Sequence, residues 1–65
     1  MMYQTETVTL YKDANGNLWY YEGKEDIYNK MVVVDYEDGH YTYTYITCYF
    51  TDEELANYTT IQVEV

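Results

Sequence analysis

Hydrophobic and polar residues alternate along much of this 65-residue chain. In residues 4–12, Val8 and Leu10 fall on one side of the alternation, whereas threonines and Tyr11 fall on the other. A period of two with β-branched residues predicts a half-buried strand. Residues 13–17 contain Asn-Gly, which favours a hairpin turn, so residues 18–22 are predicted as the returning strand. Residues 23–30 form a polar connection with room for a helical turn, but the pattern does not assign its type.

The second half repeats this plan. The apolar run 31–36 predicts a strand, 37–40 a turn, and 41–50 a long alternating strand. Its even positions include residues suited to a core, namely Ile46, Cys48 and Phe50. Because successive side chains point to opposite faces, the odd positions are expected to face outward or toward a partner. They form a tyrosine ladder: Tyr41, Tyr43, Tyr45 and Tyr49.

A short helix is predicted after the fourth strand. Thr51 followed three residues later by Glu54 forms a capping box, and the helix is expected to end near Asn57 or Tyr58. Residues 60–65 then alternate as a last strand. The predicted fold is α+β: a small antiparallel sheet of four to five strands in the order β-β-β-β-α-β with one short helix. A single domain is expected to cover residues 1–65.

Size and composition argue against an enzyme. A domain this small has room for one core but not for a deep active-site cleft. The chain has no serine and no arginine. It therefore lacks a serine nucleophile and the guanidinium group, which binds phosphate in a bidentate manner. The single Cys48 fits a reducing compartment. Residues 1–6 lack the features of a signal peptide, and no apolar run approaches the roughly 20 residues of a membrane span, so a cytoplasmic location without a membrane partner is expected.

Charge is distributed unevenly along the chain. The chain has a net charge of −9, with twelve acids and three lysines. After Lys30 there is no lysine or arginine, only seven carboxylates: Asp35, Glu37, Asp38, Asp52, Glu53, Glu54 and Glu64. Turn formation and helix capping explain each acidic cluster locally, but they do not explain the missing cations. Because self-repulsion within a single-sign surface costs stability, this half of the chain is expected to meet a basic partner.

Six of the eleven tyrosines lie in the same half. Aromatic side chains on a sheet can stack nucleic-acid bases, but that use needs neighbouring cations for the phosphates. Direct nucleic-acid binding is therefore not expected. Tyrosine also anchors protein interfaces. Two alternatives remain open, which are cross-strand packing within the sheet and a homodimer interface.

Neither a metal nor a cofactor is expected. The oxygen-bearing residues 13–17 suggest a calcium loop, but a glycine stands at the fourth position and Lys24 at the twelfth. An EF-hand needs glycine at the sixth position and a bidentate glutamate at the twelfth. His40 and Cys48 are too few for a zinc site.

The acidic hairpin 32–43, followed by Thr51-Asp52-Glu53-Glu54-Leu55 and a final strand, resembles the phage inhibitors of uracil-DNA glycosylase. Those proteins pair an acidic hairpin and a helix with a last strand, and they dimerise. The small, acidic, α+β chain is also similar to anti-CRISPR proteins, including Cas9 inhibitors, that imitate DNA. The resemblance implies a non-enzymatic inhibitor in the host-cell cytoplasm whose partner is a basic nucleic-acid-binding host protein, either a nuclease or a repair enzyme.

On the charge argument, the carboxylates near the second turn and at the helix start would stand in for phosphates, and three tyrosines would anchor the interface. The predicted partner-binding residues are Asp35, Tyr36, Glu37, Asp38, Tyr41, Tyr43, Asp52, Glu53 and Glu54. A second hypothesis is a structural or assembly homo-oligomer that uses the tyrosine face. A minor enzyme or metal binder is a third.

Overall fold

The computed structural model describes residues 6–65, without the side chain of Tyr45. Its elements follow in the predicted order: β1 (Thr7–Lys12), β2 (Leu18–Glu25), β3 (Tyr28–Glu37), β4 (His40–Phe50), α1 (Asp52–Leu55) and β5 (Thr59–Glu64). The strands form one antiparallel sheet in the order β4-β3-β2-β1-β5. The predicted β-β-β-β-α-β fold is therefore confirmed. The first strand was predicted to include Gln4 and Thr5, which lie outside the described residues, as does most of the segment without signal-peptide features.

The polar connection at residues 23–30 is a hairpin in the structure. β2 continues to Glu25 and β3 already begins at Tyr28. Only Asp26 and Ile27 separate the strands, and Asp26 adopts a positive φ of 58°. The ladder is irregular between Tyr21 and Gly23. Because both strands are largely solvent-exposed here, hydrophobic alternation could not reveal them. The helix is also shorter than predicted and ends at Leu55.

The main core lies on one face of the sheet. Leu10, Val32 and Val34 are buried there. Side chains from β1 to β5 pack around them, including three tyrosines and several aliphatic residues: Val8, Leu18, Tyr20, Tyr36, Tyr41, Ile61 and Val63. We call this side the core face.

The sheet curls strongly toward its core face. The Tyr36 hydroxyl on β3 donates a hydrogen bond of 2.9 Å to the backbone carbonyl of Glu64 on β5. Two strands separate β3 from β5, so a flat sheet would hold them roughly 14 Å apart. The curl therefore brings the end of the β3–β4 hairpin against the last strand.

A second apolar cluster covers the opposite face. The indole of Trp19 packs edge-on against Phe50, with ring centroids 5.1 Å apart, and Phe50 in turn contacts Tyr58 at 5.4 Å. Trp19 and Met31 are buried. Because Tyr58 follows α1, this contact folds the segment after β4 back over the sheet. Both faces of this thin sheet therefore bury apolar side chains.

The predicted division of β4 into a core side and an outward tyrosine side is partly wrong. Ile46, expected in the core, is 56% exposed, whereas Tyr41 packs against the core cluster. The β3–β4 register is irregular, since Val32 pairs with Thr47 but Val34 pairs with Tyr43. Ile46 lies within this bulge, and the curl of the sheet encloses Tyr41. Phe50 is covered as predicted, but by the second cluster.

Candidate functional site

The first predicted acidic cluster lies at the end of the β3–β4 hairpin. Asp38 and Gly39 form the turn with φ values of 48° and 88°. Positive φ at both central residues is typical of a type I′ hairpin turn, whose twist matches that of the flanking strands. Asp35, Glu37 and Asp38 are all exposed. Asp35 and Glu37 are two positions apart on β3, so they share a face and stand roughly 6.6 Å apart.

The structure adds Glu6 and Glu64 to this end of the molecule. A Cβ placed on Gly39 would lie 4.0 Å from the Glu64 carbonyl oxygen, the atom that accepts the Tyr36 hydrogen bond. Val65 and Glu6 exchange both backbone hydrogen bonds, at 2.9 and 3.0 Å. We name the resulting group the hairpin-end acidic surface: Glu6, Asp35, Glu37, Asp38 and Glu64. Pairing of β1 with β5 makes Glu6 and Glu64 neighbours although they lie far apart in the sequence. The curl of the sheet then brings both to the end of the β3–β4 hairpin.

These five carboxylates are not neutralised by contacting cations. Within residues 6–65, the salt bridge found is that between Lys24 and Asp52. It lies with the second acidic cluster and involves none of the five. The hairpin-end acidic surface therefore keeps its charge unpaired at contact distance.

The second predicted cluster at the helix start is largely occupied by local structure. The Thr51 hydroxyl accepts from the Glu54 backbone N–H, and the Glu54 carboxylate accepts from the Thr51 N–H, which confirms the capping box. Asp52 accepts from the Lys24 ammonium at 2.8 Å and from the Asn29 amide at 2.8 Å. The Lys24 hydrogen bond, followed by that from Asn29, lowers the pKa of Asp52. Of the three acids, Glu53 is left free of hydrogen bonds among the described residues.

Asn29 is the residue that holds this corner together, and no sequence signal indicated it. Its side chain is only 5% exposed. Its amide nitrogen donates to the Phe50 carbonyl at 3.0 Å as well as to Asp52. β3, β4 and α1 are thereby linked through one buried amide.

The two acidic clusters do not form a single compact patch. Asn29 pairs with Phe50 at one end of the β3–β4 ladder, and Glu37 pairs with His40 at the other. Eight residue steps along β3 separate these pairs, which corresponds to roughly 26 Å. The structure therefore places the predicted acids at both ends of the hairpin.

The predicted tyrosines lie on the core face near the hairpin end. Tyr41 stacks on Tyr20 with ring centroids 5.7 Å apart, and Tyr43 meets both rings edge-on at 5.7 and 5.8 Å. Burial, followed by interaction with Tyr43 and then by the charge of Glu6, raises the pKa of Tyr41. Tyr43 remains 45% exposed. Tyr36 differs because its hydroxyl donates a hydrogen bond to the backbone of β5. Tyr20, the third ring of this group, was not among the predicted partner-binding residues.

The tyrosines and the hairpin carboxylates point to opposite faces of β3 and β4. Tyr36 and Tyr41 are paired on the core face, whereas Asp35 pairs with Thr42 on the other. A flat partner surface would meet only one set. A groove that receives the hairpin edge-on would meet carboxylates on one wall and Tyr43 on the other.

Two open cavities lie near these residues. One, of about 340 Å³, lies beside β1 and β2 and is lined by Glu6 and four tyrosines: Tyr11, Tyr20, Tyr21 and Tyr41. The other, of about 200 Å³, lies between the β1–β2 turn and β3 and includes Asp35 in its lining. In the part of the chain that the structure describes, no three histidine, cysteine or acidic side chains are grouped as a metal site would require. No helix in residues 6–65 is long and apolar enough to cross a bilayer.

Comparison with known proteins adds no relative to this picture. No protein-family model, curated protein or solved structure matches the chain.

Proposed function

We propose that this chain is a non-enzymatic, anti-CRISPR-like inhibitor that inserts its β3–β4 hairpin into the basic nucleic-acid-binding groove of a host defence or repair protein. The observation that carries the proposal is the hairpin-end acidic surface. It gathers five carboxylates at one end of a paired sheet, and none of them has a salt bridge among the described residues.

The spacing of these charges suits a phosphate imitation. DNA carries one phosphate per 3.4 Å of axis on each strand, so the roughly 6.6 Å between Asp35 and Glu37 corresponds to about two phosphate steps. The roughly 26 Å between the hairpin end and the helix start corresponds to about eight steps. Glu53 can therefore contact the far end of the same groove. Electrostatic attraction of this kind speeds association and weakens as salt is added.

Charge changes at three positions test the proposal. Glu37→Lys and Glu53→Lys reverse exposed charges, and Asp38→Asn removes one without straining the backbone, because asparagine tolerates the positive φ of this turn. A matched control makes the same change in net charge on β2 and in the β2–β3 turn, away from the hairpin-end acidic surface: Glu22→Lys, Glu25→Lys and Asp26→Asn. Asp26 also has a positive φ, and all three control residues are exposed.

Binding would be measured against a Cas9, a uracil-DNA glycosylase and any protein captured from bacterial lysate and eluted with a salt gradient. We expect the triple variant to lose at least about tenfold in affinity, while the control retains most of its binding. Unchanged affinity in the triple variant would refute the proposal. Equal losses in both variants would show that net charge alone matters.

A second candidate function is a structural homo-oligomer. It is favoured by large side chains left open on β4, since Ile46 is 56% and Tyr49 50% exposed. Sedimentation at low and high salt separates the two functions. An oligomer that persists in high salt and binds none of the basic proteins favours assembly.

A further inference from the structure

β4 is an edge strand with one side open. It is the longest strand, with eleven residues, and pairs only with β3 in the described sheet. The other edge strand, β5, has six residues. Glu6 and Val65 exchange both backbone hydrogen bonds, so the adjacent pair of Thr7 and Glu64 is a non-hydrogen-bonded pair of the antiparallel ladder. The Glu64 carbonyl therefore points away from β1. Tyr36 donates a hydrogen bond to that carbonyl, which partly closes the edge of β5. Gly39, directly before β4, lies beside the same carbonyl, so the open edge of β4 is the part that lies beyond this turn.

The residues of β4 favour pairing with another strand. From Tyr41 to Phe50 there is no charged residue and no proline, and threonines alternate with tyrosines from Tyr41 to Tyr45. Proteins commonly protect such edges with lysine, proline, short length or a bulge. β4 has only the bulge opposite Val33, which leaves two straight stretches, 40–43 and 47–50.

The charges at the two ends of β4 decide which strand fits. Glu37 and Asp38 precede it, and Glu53 follows it closely. A second copy of the chain, aligned in either direction, would place acids beside acids at both ends. Like charges on adjacent strands are destabilising. A segment with lysine or arginine at each end and an uncharged centre would instead find opposite charge at both ends.

We infer that the outer edge of β4 binds an extended segment of the basic partner through backbone hydrogen bonds, as an added strand whose two ends carry lysine or arginine. The cations would stand about eight residues apart, matching the roughly 26 Å between the acidic ends of the hairpin. This inference rests on the proposed function and specifies how the partner is contacted. In strand addition, main-chain hydrogen bonds supply affinity and alternate side chains supply selectivity.

Synthetic peptides test the inference directly. The probe is a peptide of ten residues in total, with two lysines at each end and alternating valine and threonine between them. The matched control replaces the lysines with glutamates. Two further lysine-ended peptides carry N-methyl groups on alternate residues, one on the odd set and the other on the even set. An added strand uses the N–H groups of one set only. We therefore expect one methylated peptide to lose at least tenfold in affinity and the other to bind like the parent.

Amide hydrogen exchange locates the bound peptide. The lysine-ended peptide is expected to slow exchange in β4, and the glutamate-ended peptide is not. Ile46→Lys should weaken binding, because a lysine in the middle of an edge strand opposes the addition of another strand. Ile27→Lys, at a side chain that is 61% exposed in the β2–β3 turn, should not. Equal binding of both methylated peptides, or protection confined to residues outside β4, would overturn the inference.

The two proposals fail in different ways. If the full-length basic protein binds and depends on Glu37 and Asp38, but methylation has no positional effect, strand addition alone is refuted. If no basic protein binds while the lysine-ended peptide still protects β4, the inhibitor function is refuted and strand addition stands.

Discussion

Asn29→Ala should destabilise this protein more than any exposed polar substitution. The side chain is 5% exposed and donates to the Phe50 carbonyl at 3.0 Å and to Asp52 at 2.8 Å. With about 1 kcal/mol for each net hydrogen bond from this buried amide, the expected loss is about 2 kcal/mol. A chain of this length has a total stability of roughly 3–10 kcal/mol. The melting temperature should therefore fall by roughly 8–16 °C.

Urea unfolding monitored by Trp19 fluorescence measures this loss. The slope with denaturant should stay unchanged, because the fold is retained. Asn57→Ala is the matched control, since Asn57 is exposed and follows α1. Adding Asp52→Ala to Asn29→Ala should destabilise less than the sum of the single changes, because both remove the same contact. A loss below about 0.5 kcal/mol for Asn29→Ala, or equal to that of Asn57→Ala, would refute the role assigned to this amide.

Two further predictions concern the first turn and the curl of the sheet. Hydrogen bonding from the Trp19 indole, with further bonds from Asn17 and Asn15, lowers the pKa of Asp13 from 3.8 to about 2. Because this pKa is lower in the folded state, the stabilisation is present above pH 4 and is lost as the pH falls toward 2. As the pH falls from 4 to 2, the urea midpoint of Asp13→Asn should therefore decrease less steeply than that of the parent protein. An equal pH dependence of the two midpoints would contradict the assignment. Tyr36→Phe should cost about 1 kcal/mol and speed amide exchange at Glu6 and Val65, because it removes the bond to Glu64. Tyr49→Phe, at an exposed ring, should leave stability and exchange unchanged, and equal effects of the two substitutions would rule out the proposed closure.

Local signals in the sequence were sufficient for the features that depend on neighbouring residues. The capping box of Thr51 and Glu54 and the turn around Gly16 appear as predicted, with Asp13 accepting backbone N–H groups from Asn15 and Asn17. The hairpin at Asp26 was missed because its strands are exposed and have no apolar alternation. Propensity alone does not distinguish such a turn from a polar loop.

The candidate site was predictable only in part for a different reason. Asp35, Glu37 and Asp38 are adjacent in sequence, so their clustering follows from one turn. Glu6 and Glu64 join them only because the sheet curls, and no local pattern encodes that curl. The orientation of Tyr41 depends on the same curl. Asn29 is a single polar residue in an exposed hairpin, and its burial follows from the return of the chain after β4.

The pairing of β1 with β5 has a consequence for the order of folding. Thr7 pairs with Glu64, more than fifty positions apart, whereas β2, β3 and β4 are joined by short turns. Contacts between distant residues require closing a long loop before they stabilise the chain, so they form late and open early. Glu6 and Glu64 thus join the acidic hairpin end only in the last step. Local opening of β1 and β5 would disperse this surface while the β2–β3–β4 meander is still intact, so a partner that binds it also stabilises the closed state.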